Sequence, residues 1–448
     1  MKTIFQLFFG LLLTATLLSQ LTIAQTRQLT LNDAVSLALE KNRDLQVSKL
    51  EINKSAEKLR EARGYALPTV AASGQYLHFL KRQVTFLPGQ FAGLEEGQIA
   101  TLRVGGTDAY VGNISVIQPL FQNNIFSGIR AARAYENISQ QEQAQVQSTV
   151  ITSVKKAYLD ALITHEQLRL VQQSIVRNEQ ALKDSRSLLA QGRASRVDTL
   201  RAYVTIENLR PEVIRLTNGV ETAKIRLKTT IGIDQTEPVE LLDSLKYDGT
   251  IPTLSNEDAL AEALKSRPEV NRLVLAEQLS SEQIKIESSE YLPTLSAIGQ
   301  VQAQSQANDF RFGDYQWPVS SYVGLQLSAP IFSGFRTAAR VQQARITKLQ
   351  TEKQLENARE LVQAEVKVAL SKVEESRRRI EAQTQTVSTA ELSYRITRDR
   401  WKQGISSRLD LADAELSLTS AKSNYLQAVY DYLNASVDLD QALGRTRQ

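Results

Sequence analysis

Residues 403–444 read QGISSRLDLADAELSLTSAKSNYLQAVYDYLNASVDLDQALG, and this stretch decides the fold. Large and small apolar side chains alternate along it at three- and four-residue spacing, which is the pattern of helices that pack knobs-into-holes. The stripe runs for about ten helical turns, far longer than an ordinary globular domain needs. Its residues are Leu411, Ala414, Leu418, Ala421, Tyr425, Ala428, Tyr432, Ala435, Leu439 and Ala442. The sequence therefore predicts a long coiled-coil helix.

Two other stretches carry the same spacing. One consists of Thr199, Ala202, Ile206, Leu209, Val213, Leu216, Val220, Ala223, Leu227 and Thr230. The other consists of Val362, Val366, Ala369, Val373, Ser376, Ile380, Val387, Ala390 and Tyr394. The chain is also poor in residues that end helices, with 20 Gly and 10 Pro in 448 residues. Long elements with few turns between them are therefore expected.

The chain is an internal duplication, because short segments recur in the same order. Residues 66–70 (ALPTV) resemble residues 291–295 (YLPTL), at an offset of 225 residues. The sequence QGRASRVD, which begins at Gln191, resembles QGISSRLD, which begins at Gln403. We therefore predict a first repeat over residues 25–232, an equatorial segment between the repeats over residues 233–253, and a second repeat over residues 254–448.

Each repeat reads as helix, strand, loop, strand, very long helix, turn and helix. The long helices are expected at 122–190 and 335–403, and each would measure about 100 Å. The other helices are about half as long: 30–64, 196–231, 255–290 and 407–443. Two half-length helices placed end to end match one long helix. The sequence therefore predicts a cylinder of antiparallel helices.

Four segments alone have the pattern of strands: 68–78, 110–121, 293–303 and 321–332. In each, apolar and polar residues alternate, which is typical of a membrane barrel but equally of a half-buried soluble sheet. The expected apolar face holds Val70, Ala72, Tyr76, Ile114, Val116, Leu120, Leu295, Ala297, Val301, Val323, Leu325, Leu327 and Ile331. The loops 79–109 and 304–320 would lie outside the cell.

The N-terminus predicts export. Lys2 precedes an apolar run from Ile4 to Leu18, and small residues end the segment at Ala24, as in a secretory signal peptide over residues 1–24. A sheet in a membrane must close, and the smallest barrels have about eight strands, so several chains would have to share one barrel.

Composition excludes most enzymatic and metal chemistry. The chain has no Cys and only two His, so thiolate and histidine metal sites are not expected, and we predict no cofactor. The 53 basic and 49 acidic residues nearly balance, which gives no case for nucleic acid. No catalytic constellation is present, so we expect a protein that is not an enzyme.

The duplicated LPT segments, the sequence APIFSGFRTAAR, which begins at Ala329, and the QG segments at the two turns together resemble TolC-type outer membrane efflux proteins. The resemblance covers the whole mature chain. It implies a homotrimer with one shared twelve-stranded transmembrane β-barrel, continued by a long α-helical tunnel across the periplasm. It also implies a periplasmic adaptor protein and an inner-membrane transporter as partners, in tripartite efflux or type I secretion.

Acidic residues at the far end of the tunnel are the candidate gate. The resemblance places acidic rings at the periplasmic mouth, where Asp410 and Asp413 match two ring positions and Asp198 matches the equivalent position of the first repeat. Three chains would repeat each carboxylate, which favours cations. An aspartate near a helix start also stabilises the helix dipole, so a purely local role stays open for these residues.

The turns themselves are the expected docking tips for the adaptor: Gln191, Gly192, Arg193, Gln403, Gly404 and Ile405. Trp401 and Ser406 stand where the family often has an aromatic hydroxyl and an arginine, so the chemistry that shuts this gate is left open. Arg193, Arg196 and Arg408 are the nearby bases that could pair with the gate aspartates.

The expected location is the outer membrane, with extension into the periplasm. Since the chain lacks Cys, it cannot carry a lipid on an N-terminal cysteine and would not be a lipoprotein. The alternative function is a structural or adaptor-type coiled-coil protein of the periplasm, with the strands in a small soluble domain.

Overall fold

The computed structural model describes residues 27–247, 249 and 255–445. The expected signal peptide lies outside the described residues, as does part of the segment expected between the repeats. The elements of the first part of the chain are β1 (Arg27–Leu29), α1 (Leu31–Lys41), α2 (Arg43–Gly64), β2 (Thr69–His78), β3 (Val84–Pro88), β4 (Ile99–Arg103), β5 (Asp108–Phe121), α3 (Asn123–Ala190), α4 (Arg196–Ile231) and β6 (Val239–Leu241). Those of the second part are α5 (Asn256–Ser266), α6 (Pro268–Ser288), β7 (Thr294–Ala307), β8 (Val319–Ser328), α7 (Arg336–Lys402) and α8 (Arg408–Leu443).

The long helices and their partners follow the sequence closely. Helices α3 and α7 contain 68 and 67 residues, so each measures about 100 Å. Helices α4 and α8 contain 36 residues each, close to half that length. The length relation that the sequence predicted is confirmed for these four helices.

The sequence predicted one continuous first helix in each repeat, over 30–64 and 255–290. In the structure each of these is interrupted and forms two helices. The first break lies at Asn42, whose ψ of 128° ends α1, and its side chain donates to the Thr230 carbonyl at 2.8 Å. The second lies at Arg267, directly before Pro268, and proline disfavours helical backbone at the preceding residue. The apolar pattern continues through both breaks, which is why the sequence suggested single helices.

Four short strands were missed by the prediction that only four segments form strands. Strands β3 and β4 form an antiparallel hairpin inside the segment 79–109, which was expected to be a loop. Strands β1 and β6 pair in parallel, with Arg27 opposite Val239. The buried Tyr158 hydroxyl donates to the Leu29 carbonyl at 2.9 Å beside this pair. Strands of three to five residues are too short for alternation to reveal them.

The main sheet is antiparallel, in the order β2-β5-β7-β8. Its register pairs Val70 with Val116 and Ile114 with Val301, so the apolar residues of the four strands meet on one face. This confirms the predicted apolar face, with two corrections. A register shift between Pro119 and Phe121 leaves Leu120 out of the pairing. Ile331 lies beyond β8, which ends at Ser328 because Pro330 has no N–H for the ladder.

The three apolar stripes that the sequence predicts, in α4, α7 and α8, are buried in the structure, and we call them the seams of these helices. Every predicted seam residue of α8 is buried except Tyr425, which is half-buried. In α7, seven of the nine are buried, and Val387 and Tyr394 are half-buried. In α4, five of the ten are buried and the rest are half-buried. The predicted seams are therefore part of the helical core, together with the buried residues of α3.

The chain divides into two compact units, and each unit takes segments from both repeats. The helical unit comprises the described residues of Met1–Ile52, Ser139–Leu273 and Gln354–Gln448. The sheet unit comprises Asn53–Ile138 and Val274–Lys353. Among the described residues, every helix lacks the combination of length and apolar character that a membrane-crossing helix needs.

Enlarging a small seam residue tests the packing. Ala428 of α8 is fully buried, and Ala428→Leu is expected to destabilise the folded protein by about 1–3 kcal/mol because the added methyl groups have no space. Thermal unfolding followed by circular dichroism would measure the loss. The matched control is Asn424→Leu on the same helix, where the side chain is exposed. Equal losses in both variants would contradict the seam assignment.

Candidate functional site

The two tips of the helical unit are turns of the same construction. Helix α3 ends before Gly192 and helix α7 ends before Gly404, and both glycines have left-handed backbone, with φ of 68° and 78°. After each glycine the next N–H reaches back five residues: Arg193 N–H donates to the Leu188 carbonyl and Ile405 N–H to the Arg400 carbonyl, both at 2.9 Å. Each tip is therefore a helix C-cap that favours glycine.

The structure brings the two expected docking tips together. A guanidinium nitrogen of Arg193 donates to the carbonyl of Gln403 at 3.5 Å, which joins the first tip to the second. All six tip residues are exposed: Gln191, Gly192, Arg193, Gln403, Gly404 and Ile405. The tips thus present one continuous exposed surface in which Ile405 is the large apolar side chain.

A capping box follows each tip and uses two of the three candidate gate aspartates. The Ser195 backbone N–H donates to Asp198 Oδ2 at 3.1 Å, and the Asp198 N–H donates to Ser195 Oγ at 3.2 Å. The Ser407 N–H donates to Asp410 Oδ2 at 2.9 Å, and the Asp410 N–H donates to Ser407 Oγ at 3.1 Å. These two aspartates therefore have the local role at a helix start that the sequence left open.

Asp413 has a different environment. It lies one turn after Asp410 on α8, its side chain is exposed, and among the described residues it makes no hydrogen bond or ion pair. Asp410 and Asp413 thus place two carboxylates on one helix face beside the tip. Hydrogen bonds from the Ser407 backbone N–H and hydroxyl lower the pKa of Asp410 below its ordinary value.

Two of the three bases that were expected to pair with these aspartates are engaged elsewhere. Arg193 donates to the Gln403 carbonyl, and Arg408 donates to Asn178 Oδ1 at 3.3 Å. Within the described residues, neither these two arginines nor Arg196 forms an ion pair with a gate aspartate. Burial lowers the pKa of the Arg408 guanidinium, while the carboxylates of Glu415 and Asp198 oppose that shift.

A buried ion pair near the tips was missed by the sequence reasoning. Arg177 Nε of α3 donates to both carboxylate oxygens of Glu415 of α8, at 2.7 and 2.9 Å. The sequence contains one signal of this pair. Glu415 lies beside the seam residues Ala414 and Leu418, and a charged side chain next to a buried stripe needs a partner. The partner could not be read from the sequence because 238 residues separate the two side chains.

The sheet unit presents two chemically different faces. The apolar face is largely exposed, and Val323 at its edge is 90% exposed. The opposite face carries more polar residues and, in the described strands β2, β5, β7 and β8, no charged residue. On it, glutamines of β7 form a hydrogen-bonded ladder, with Gln300 donating to Gln302 at 3.0 Å and Gln302 to Gln304 at 3.2 Å.

The pH dependence of the second tip follows from Asp410. Because folding lowers its pKa, the carboxylate stabilises the start of α8 above its ordinary pKa of about 3.9, and this stabilisation is lost as the pH falls through the lower folded value. Amide hydrogen exchange in the first turn of α8, corrected for intrinsic rates, is therefore expected to accelerate in acid. The Asp410→Asn variant should lose this pH dependence. The control Asp413→Asn removes the same charge outside the capping box and should retain it; the reverse result would contradict the assignment.

Comparison with known proteins identifies the family. The sequence matches the Outer membrane efflux protein family over residues 34–233 and 259–445. It is 26% identical over 333 residues to the alkaline protease secretion protein AprF of Pseudomonas aeruginosa, covering 73% of this chain and 68% of AprF. It is 21% identical over 345 residues to the outer membrane protein TolC of Vibrio cholerae, covering 75% of this chain and 77% of TolC. The structure of the outer-membrane channel OprN superposes with a TM-score of 0.75 at 18% identity, covering 92% of this chain and 89% of OprN. The chain belongs to the outer membrane efflux protein family.

Proposed function

We propose that this outer membrane efflux protein is a homotrimeric exit duct that passively conducts substrates from an inner-membrane transporter to the outside. In this proposal three chains share one twelve-stranded barrel in the outer membrane. Their helices continue the duct into the periplasm, where a periplasmic adaptor protein docks on the tips. The duct serves a tripartite efflux pump or a type I secretion system.

The observation that carries this proposal is the sheet with an exposed apolar face and open edges. Within the described residues, β2 and β8 each pair on one side only, so a single chain leaves two rows of backbone N–H and C=O groups unpaired. Lipid does not tolerate such edges, and a barrel removes them. The strands contain 10 to 14 residues, which is enough to cross a bilayer of typical thickness when tilted.

The helical unit supports association with further copies of the chain. Four exposed apolar residues form a stripe on one face of α4, on the side away from its buried seam. The stripe comprises Leu200, Val204, Ile214 and Ile225. In the proposed assembly, neighbouring copies of the chain would cover these exposed side chains. The family resemblance supports three as the number of copies.

The tips support a gate and a docking site. The carboxylates of Asp410 and Asp413 would be repeated three times around the mouth of the duct, and rings of carboxylates attract cations. The exposed tip surface, from Gln191 to Arg193 and from Gln403 to Ile405, is offered to the adaptor. The names of AprF and of related efflux pump proteins place those relatives in secretion and efflux, which is the basis for proposing such partners here.

The barrel would also be the membrane anchor of this protein. The chain has no cysteine, so a lipid on an N-terminal cysteine is not available to hold it in the membrane. Apolar side chains such as Val323, Leu325 and Leu327 would contact the lipid instead. The protein is thus proposed to lie in the outer membrane and not to be a lipoprotein.

Membrane fractionation of the full-length protein tests this function. The mature protein is expected in the outer membrane, to require detergent for extraction, and to migrate as a trimer after cross-linking. In planar bilayers the purified trimer should conduct ions. A monomer that stays soluble without detergent would support the alternative, a periplasmic coiled-coil structural or adaptor protein.

Neutralising the exposed gate carboxylate tests the acidic ring separately. Asp413→Asn leaves the Ser407–Asp410 capping box intact and removes three charges from the proposed ring. The preference of the open duct for cations is expected to decrease severalfold, as measured by the reversal potential in a salt gradient. The control is Asp258→Asn, which removes a charge at the start of α5, away from the tips. If only the control changed the selectivity, the ring assignment would be wrong.

A further inference from the structure

The end of the main sheet that carries the β3–β4 hairpin changes in composition along the strands. On the apolar face of β5, Ile114 is followed toward the hairpin by Tyr110, whose ring stacks on Tyr76 of β2 with centroids 5.1 Å apart. Tyr315 and Trp317, from the connection between β7 and β8, pack on Tyr110 at 6.0 and 6.3 Å between centroids. Aliphatic residues followed by an aromatic cluster form the same order of layers that leads from the interior of a bilayer to its surface.

Three cations lie beyond this aromatic cluster, at the base of the hairpin, and we name them the basic collar: Lys81, Arg82 and Arg103. Lys81 and Arg82 follow the end of β2 at His78, and Arg103 ends β4, where it lies opposite Val84 in the register of the hairpin. All three side chains are exposed. The three charges are thus concentrated in the short stretch of hairpin that directly adjoins the sheet.

The basic collar has no acidic partner in the described part of the chain. Lys81 and Arg103 form no ion pair or hydrogen bond there, and Arg82 Nη2 donates to the neutral amide oxygen of Asn308 at 2.9 Å. That hydrogen bond holds the base of the hairpin at the end of β7 and leaves the charge of Arg82 uncompensated. Because like charges repel each other, a bound anion would stabilise this arrangement.

Asp108, at the start of β5, does not supply the missing negative charge. Its Oδ1 accepts a hydrogen bond from the Tyr76 hydroxyl at 2.7 Å and lies 2.7 Å from His78 Nδ1. Its side chain is 4% exposed. This carboxylate is therefore buried and engaged with neighbouring groups of the sheet, away from the exposed cations of the basic collar.

Charge is separated along the hairpin itself. Glu95 and Glu96 lie in the turn that joins β3 to β4, about 15 Å along the strands from the basic collar. In the connection between β7 and β8, Asp309 is paired with Arg311 at 3.8 Å. The hairpin thus has its cations next to the sheet and its carboxylates at the far tip, which is the arrangement expected if an anionic surface lies level with its base.

We propose that the basic collar binds the phosphate groups of lipids in the outer leaflet of the outer membrane. This proposal rests on the proposed function, because it requires a barrel whose hairpin end faces outward. The lipid tails lie along the aliphatic part of the sheet, and the headgroup lies at the aromatic cluster. The phosphates accept charge-assisted hydrogen bonds from Arg82 and Arg103, and Lys81 adds a third positive charge.

A lipid fits this surface better than a free phosphate does. The aliphatic residues, the aromatic cluster and the basic collar follow one another along the sheet, so one amphipathic molecule can contact all three. A free phosphate would contact the cations alone. Each copy of the chain in the barrel repeats the basic collar, so the barrel would hold a ring of phosphorylated lipids that fixes its depth in the membrane.

The experiment titrates the full-length protein in detergent with bisphosphorylated lipid A and measures bound lipid by native mass spectrometry. Combining Lys81→Gln, Arg82→Gln and Arg103→Gln is expected to weaken binding severalfold, because the phosphates lose their cationic partners. Arg82→Lys with Arg103→Lys keeps the charges and should retain most of the binding. The matched control removes one lysine and two arginines from exposed positions of α7 and should bind as the wild type does: Arg345→Gln, Arg359→Gln and Lys367→Gln.

The chemistry of the ligand is tested with the wild-type protein. Lipid A from which both phosphates have been removed should bind severalfold more weakly than the bisphosphorylated form, and equal binding of the two would overturn the proposal. Inorganic phosphate at the concentration of the lipid should not displace bound lipid A. Displacement at that concentration would indicate a site for free phosphate and would overturn the assignment to a lipid.

The remaining outcomes separate this proposal from the proposed function. Wild-type affinity in the variant that lacks all three cations would overturn the proposal. If that variant did not assemble, Lys81→Gln alone would decide, because Lys81 makes no contact in the described part of the chain; unchanged affinity there would equally overturn it. A wild-type protein that is soluble without detergent and does not conduct would refute the proposed function itself, whatever the lipid titrations show.

Discussion

The constraint on which the rest of the structure depends is the incompleteness of the main sheet. Four antiparallel strands expose an apolar face and two unpaired edges, and a lipid environment leaves such edges no partner but further strands. In the proposed barrel, several copies of the chain would lie side by side. The length of α3 and α7, the exposed stripe on α4 and the paired tips are all consistent with that one requirement.

Because the chain is an internal duplication, its two repeats contribute the same kinds of element to the fold. Both repeats contribute two strands to the sheet, one long helix and one returning helix, and both end their long helices with a glycine followed by a serine–aspartate capping box. The repeats also differ in particular elements and residues. The hairpin of β3 and β4 occurs in the first repeat, whereas the Asp410 and Asp413 pair and the buried Glu415 occur in the second.

Sequence reasoning succeeded where a periodic pattern is long and failed where a structure depends on one residue or on distant partners. The stripe from Leu411 to Ala442 spans the whole of α8, so its burial was predictable residue by residue. The breaks at Asn42 and Arg267 occupy single residues inside a continuing pattern and were missed. The capping boxes are local and could be anticipated at Asp198 and Asp410. The Arg177–Glu415 pair depends on how two repeats pack together, which no local pattern encodes.

The construction of the tips has a mechanical consequence. Each turn is fixed on one side by a glycine C-cap and on the other by a capping box, so only one residue separates the bonded ends: Ala194 in the first tip and Ser406 in the second. A turn fastened on both sides is a stiff joint rather than a hinge. Each long helix and its returning partner should therefore move as a single lever, with the bending distributed along the coiled coil and not concentrated at its end.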